Sequence, residues 1–89
     1  MTTEEIRVRV KEIIADVAGV DAAGIGDEAH FIEDLGLDSL AMLEMGVDID
    51  YEFKLGVGDQ RLAQLRSVPD TVALIEKCLA ERDGESQVA

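Results

Sequence analysis

No stretch of this chain alternates apolar and polar residues for long enough to make a strand, whereas three stretches repeat apolar residues at helical spacing. That contrast restricts the fold to helices packed on helices. In residues 2–18, Ile6, Val10, Ile13, Ile14 and Val17 recur on one helix face. Thr2 and Glu5 stand at capping-box spacing, and Gly19 supplies a stop. Residues 39–54 carry two apolar stripes on opposite sides: Met42, Met45, Ile49 and Phe53 form one, and Leu40, Leu43, Val47 and Tyr51 the other. A third helix-forming stretch runs from about Pro69 to Ala80, with Val72, Ile75 and Leu79 inward and a start signal at Ser67-Val68-Pro69-Asp70.

Between the first two helices lies a long connection, residues 19–38, too long to be structureless in a small domain. Val20, Ile25, Phe31, Ile32 and Leu35 are expected to pin it over the helices. Gly56 and Gly58 end the second helix, and a short helix from about Asp59 to Leu65 presents Leu62 and Leu65. The expected fold is all-α: a four-helix bundle with three longer helices, one short third helix and a long loop between helices one and two. Residues 1–82 form the domain, and 83–89 read as a flexible tail. With 89 residues and only three aromatic side chains, the core must be aliphatic, and about 60–65% of the unfolded surface can be buried.

The net charge of −12 is concentrated. Residues 21–52 hold ten acids (Asp21, Asp27, Glu28, Glu33, Asp34, Asp38, Glu44, Asp48, Asp50 and Glu52) and no Lys or Arg. Such a field repels nucleic acid and anionic membrane and attracts basic protein surfaces. The single cysteine, Cys78, cannot form an internal disulfide and reads as a small core residue in a reducing compartment. No apolar run reaches the ~18 residues of a membrane span, so a cytoplasmic monomer is expected.

Ser39 is the residue of greatest chemical interest. A serine at a helix start is usually an N-cap. Here Asp38 is available for that task, and the glycine-containing loop from Asp34 to Leu37 leads into the hydroxyl as if to expose it. A phosphoester at that oxygen would sit at the positive end of the helix dipole, near unpaired N–H groups. Glu44, Asp48 and Glu52 form a like-charged row at i, i+4 and i+8 with no compensating base on the helix. The row is either a solvated face or a docking strip for basic partners. The second apolar stripe either packs under the short helix or borders a sheltered cleft. Gly46 leaves space that close packing or a cargo could take.

Catalytic alternatives fail on spacing. Leu37 and Ala41 stand where a G-x-S-x-G elbow needs glycine. His30 is the only histidine, and nothing in the sequence places it near Ser39. Asp48, Asp50 and Glu52 begin like a calcium loop, but Phe53 stands where glycine is required. One Cys and one His far apart give no metal site.

The run Asp34-Leu35-Gly36-Leu37-Asp38-Ser39-Leu40 closely resembles the D-L-G-x-D-S-L signature of acyl carrier proteins. The resemblance extends from about Ile6 to Leu79. It implies that Ser39 receives 4′-phosphopantetheine from coenzyme A through a separate phosphopantetheinyl transferase. It also implies that the thiol of that arm bears acyl groups as thioesters, and that the chain has no catalytic activity of its own. Asp38, Leu40, Glu44 and Val47, with Asp48 of the acidic row, are the expected docking residues. The expected partners are the transferase, a ketosynthase, an acyltransferase and other pathway enzymes with basic surfaces. Ile49, Phe53, Leu62 and Leu65 match positions lining an acyl-sheltering cleft. Departures from the fatty-acid type at Ala41, Gly46, Tyr51, Gly58, Arg61 and Gln64, together with Leu37, point to a free-standing carrier of a polyketide-like pathway. The alternatives are a peptidyl carrier, against which the acidic row argues, and a helical interaction domain with unmodified Ser39.

Overall fold

A computed structural model describes residues 2–58, 61–62 and 64–88, with side chains through residue 81. The first helix, α1, spans Thr3–Ala18. Its capping box forms as the spacing predicts: the Glu5 N–H donates to Thr2 Oγ1 at 3.2 Å, and the Thr2 N–H donates to Glu5 Oε1 at 2.9 Å. The Glu5 carboxyl is held below its ordinary value chiefly by the bond from the Thr2 backbone. The chain leaves α1 through Gly19 in the left-handed region (φ 72°), a conformation that would strain a side chain. Ile6, Val10, Ile13, Ile14 and Ala15 are buried.

The connection to the second helix is ordered by a 3₁₀ turn at Ala22–Gly24 and by a tight loop over residues 30–37. In that loop the Asp34 side chain accepts the His30 N–H (2.8 Å), and the Leu37 N–H donates to the Phe31 carbonyl (3.0 Å). Ile25, Ala29, Phe31 and Leu37 are buried beneath it, and Leu35 packs at the edge. Val20 and Ile32, expected to pin the loop, are exposed instead. The Ala29, Phe31 and Leu37 side chains already fill the space over the helices.

The second helix, α2, spans Ser39–Phe53, with Asp38 as N-cap and Lys54 as a left-handed C-cap (φ 52°). Of its two stripes, Met45, Ile49 and Phe53 enter the core and Met42 is half-buried. The other stripe stays in solvent: Leu40, Leu43, Val47 and Tyr51 are all exposed, Tyr51 by 83%. Leu62, from the segment before the last helix, lies instead against the Gly46 side of α2. A side-chain Cβ at Gly46 would lie 3.1 Å from Leu62 Cβ, so the missing side chain serves close packing.

The last helix, α3, spans Val68–Val88. The Asp70 N–H donates to Ser67 Oγ (3.4 Å), whereas the Asp70 carboxylate reaches back to the Arg66 N–H (3.3 Å). Val68, Thr71, Val72 and Ile75 are buried. The helix continues past Ala80, where the apolar periodicity ends, to Val88. No proline stops it there.

α1 packs against both α2 and α3 and is the centre of the bundle. The fold is all-α, with three α-helices and one 3₁₀ turn among the described residues. The expected short helix from Asp59 to Leu65 includes residues 59, 60 and 63, which lie outside the described residues. Its described part turns on Gly58, whose carbonyl accepts from Arg61 and Leu62, and it buries Leu62 and Leu65. Among the described residues, no helix is long and apolar enough to cross a membrane.

Candidate attachment site and groove

The site begins with a division of labour at the start of α2. Asp38 Oδ1 accepts the Ala41 N–H at 2.8 Å, and the Asp38 carbonyl accepts that of Met42 at 2.9 Å. Asp38 therefore does the capping, and Ser39 becomes the first helical residue. Ser39 is exposed. Among the described residues its hydroxyl has no hydrogen-bond partner, and the Ser39 and Leu40 N–H groups have no protein acceptor. Two free donors beside a free hydroxyl, at the positive end of a helix, suit a phosphate bonded to that oxygen.

Ser39 opens onto a groove of about 720 Å³ with three walls. His30, Ile32 and Glu33 come from the crossover, Met42 and Leu43 flank Ser39 on α2, and Leu62, Leu65 and Arg66 come from the segment entering α3. Of the four expected cleft residues, Leu62 and Leu65 line this groove. Ile49 and Phe53 lie in the core beneath it, Ile49 fully enclosed. Met42 and Leu43, which the helical wheel places on opposite stripes, both reach the groove, because it straddles the edge between them. His30 shares the groove with Ser39, although the two are not hydrogen-bonded. Sequence reading misses this placement, since 30 and 39 are joined only through the loop's own hydrogen bonds. It misses Arg66 as well, for which no local signal exists.

The exposed face of α2 continues from the groove. Leu40, Glu44, Val47 and Asp48 all face solvent, as does Asp38 at the cap. The acidic row is not uncompensated, as its own helix suggests: Arg9 of α1 donates to Glu52. That bond holds the Glu52 carboxyl below its ordinary value and raises the Arg9 guanidinium. Glu44 and Asp48 make no such pair among the described residues.

Fold and site together define a carrier class: a small helical bundle presenting one hydroxyl at a helix start, beside an apolar groove and an acidic face. The phosphopantetheine attachment site family matches residues 8–75. The meromycolate extension acyl carrier protein of Mycobacterium tuberculosis is 38% identical over 87 residues, covering 98% of this chain and 76% of its own. The acyl carrier protein of Thermotoga maritima is 42% identical over 76 residues, 85% of this chain and 94% of its own. A solution structure of the apo doublet acyl carrier protein from prodigiosin biosynthesis superposes with a TM-score of 0.71 at 24% identity, which shows the shared fold. It spans 83% of this chain, which covers 36% of that doublet. The chain belongs to the acyl carrier protein family, whose members bear covalent 4′-phosphopantetheine, work with pathway enzymes and have no catalytic activity of their own.

Proposed function

We propose that Ser39 is the attachment residue and that the chain carries acyl intermediates between the enzymes of a chain-extending pathway. The observation that carries this reading is the exposed Ser39 hydroxyl, left free because Asp38 caps the helix. When attached, the group supplies a flexible arm ending in a thiol that holds acyl groups as thioesters. Ser39 itself is no nucleophilic catalyst, for no base is hydrogen-bonded to it among the described residues. A phosphopantetheinyl transferase takes the hydroxyl proton as Ser39 Oγ bonds to the pantetheine-bearing phosphorus of coenzyme A, the diphosphate P–O bond breaks, and adenosine 3′,5′-bisphosphate leaves.

The chain's own residues do three things. The free N–H groups of Ser39 and Leu40 face the phosphate. Met42, Leu62 and Leu65 give the groove an apolar floor. Asp38, Leu40, Glu44, Val47 and Asp48 present a face on which transferase, ketosynthase and acyltransferase dock through basic surfaces. The unpaired Cys78 and the acidic surface support a cytoplasmic setting.

The name of the mycobacterial relative, a meromycolate extension acyl carrier protein, supports extension of an acyl chain as the work served. A polyketide-like cargo is a second reading, favoured by Tyr51, which stands exposed where fatty-acid carriers often have an acid. Leu37 adds nothing to it, because that side chain is buried and its identity is set by packing. Intact mass after incubation with coenzyme A and a promiscuous transferase tests the attachment. The wild-type chain gains one phosphopantetheine and Ser39→Ala gains none; a gain that survives the substitution sinks the assignment.

A further inference from the structure

The groove beside Ser39 is apolar at its floor but not at its rim. His30 and Arg66 both line it. The two are brought together by backbone hydrogen bonds: the Phe31 N–H donates to the Arg66 carbonyl at 2.8 Å, and the Val68 N–H donates to the Ala29 carbonyl at 3.0 Å. Between these bonds, His30 and Ser67 form an antiparallel bridge. Phe31 and Val68, both fully enclosed, anchor the stitch in the core. The rim is thus a built feature of the fold, although each of its two side chains comes from a separate stretch of sequence.

Charge pairing sets this rim apart from α1. Arg7, Arg9 and Lys11 are each engaged by a carboxylate. Among the described residues the Arg66 and His30 side chains have no hydrogen bond or ion pair. In a chain with 20 acids against 8 Lys and Arg, a guanidinium beside the groove without a carboxylate has its charge available to something else.

We propose that His30 and Arg66 form a cationic rim that receives the phosphodiester end of the arm carried on Ser39. The proposal rests on Ser39 being the attachment residue. A phosphodiester adds one more negative charge to a region that already holds ten acids, and Glu33 lines the same groove. The N–H groups of Ser39 and Leu40 serve one side of that phosphate. The guanidinium fork of Arg66 suits the oxygens on the other, and His30 adds a donor. Held this way, the phosphate directs the arm along Met42, Leu62 and Leu65 and away from the docking face of α2. His30 and Arg66 are positioning residues.

His30 is the only histidine in the chain, so its imidazole titration is read by NMR without ambiguity. Conversion of apo to holo wild-type protein raises its midpoint by about half a pH unit, because a nearby anion favours the imidazolium. Salt at ~1 M shrinks that rise. Glu33, Asp34 and Asp70 also surround the rim, but they are the same in both forms, so the difference isolates the added phosphate. Arg66→Gln raises the midpoint of the apo form, since a like charge is lost, and shrinks the rise on attachment, because the phosphate is no longer held at the rim. A mass gain at Ser39 with no movement of the His30 midpoint overturns the rim and leaves the attachment standing. Absence of any mass gain overturns the attachment first, and the rim with it.

Discussion

Serine at the start of a helix ordinarily gives its oxygen to the backbone, and Asp38 relieves Ser39 of that task. Further along the same helix, the absence of a side chain also acts. Gly46 is buried and lacks the side chain that would collide with Leu62. Alanine at 46 brings better helix propensity, about 1 kcal/mol, but its Cβ would meet Leu62 Cβ at 3.1 Å. A Cβ cannot swing aside as the end of a side chain can, so the backbone of the groove's third wall must give. Gly46→Ala therefore lowers stability by about 1 kcal/mol in urea unfolding, the overpacking cost exceeding the propensity gain. It also shifts the methyl resonances of Leu62 and Leu65. A variant more stable than wild type would show that the wall yields freely and that Gly46 does not set its position.

At the scale of elements, α1 holds the bundle together by burial on one face and by charge on its flank. Arg9 reaches across to Glu52 of α2, Lys11 to Asp27 of the crossover, and Thr3 Oγ1 donates to Glu76 of α3 at 2.5 Å. The bonds from Arg9 and Lys11 hold the Glu52 and Asp27 carboxyls below their ordinary values. A carboxyl whose folded value is depressed contributes stability above its unfolded value and loses it as pH falls through the folded one. Arg9→Gln removes the Glu52 contribution and a longer contact with Glu12, and leaves the Lys11–Asp27 pair in place. It should lower Tm near pH 7 by no more than about a few degrees, because both side chains are substantially exposed. The gap between wild type and variant closes by roughly pH 3, where Glu52 is protonated in both. A gap that persists there would assign the effect of Arg9 to packing of its stem. These cross-element bonds also mark where sequence reading stops. The buried face of α1, its capping box and the Met45, Ile49, Phe53 stripe follow from local spacing and appear as expected. The Arg9–Glu52 pair, the bridge joining His30 to Ser67 and the arrival of Arg66 at the groove depend on how distant segments meet. No periodicity within one helix encodes them. Val20 and Ile32 fail for the same reason: apolar residues in a loop compete for a limited interior, and Ala29, Phe31 and Leu37 occupy it.

Over the whole molecule the charge is arranged by sector. The ten acids of residues 21–52 lie on the crossover and α2, on either side of Ser39 in the chain, while the bases of α1 are engaged in pairs. Glu44 and Asp48 therefore project an unneutralised field next to the exposed apolar row of Leu40, Leu43 and Val47. That combination suits a partner with a basic rim around an apolar centre: the charge steers encounter and the apolar row holds the complex. Net charge and local charge make different predictions. Glu44→Lys and Glu81→Lys both change the total from −12 to −10, and both residues are exposed, but Glu81 lies far along α3 from the cap of α2. If the total charge governed encounter, the two would slow modification by a phosphopantetheinyl transferase equally. The sector arrangement predicts instead that Glu44→Lys lowers the second-order rate about 3- to 10-fold at low ionic strength, with little effect from Glu81→Lys. Raising salt to about 0.5 M shortens the Debye length below the spacing of the facing charges, and the two variants converge. Stopped-flow or mass-based rates across a salt series separate the cases. Equal slowing by both variants would mean that the acidic face keeps the molecule apart from other anions without selecting its partners.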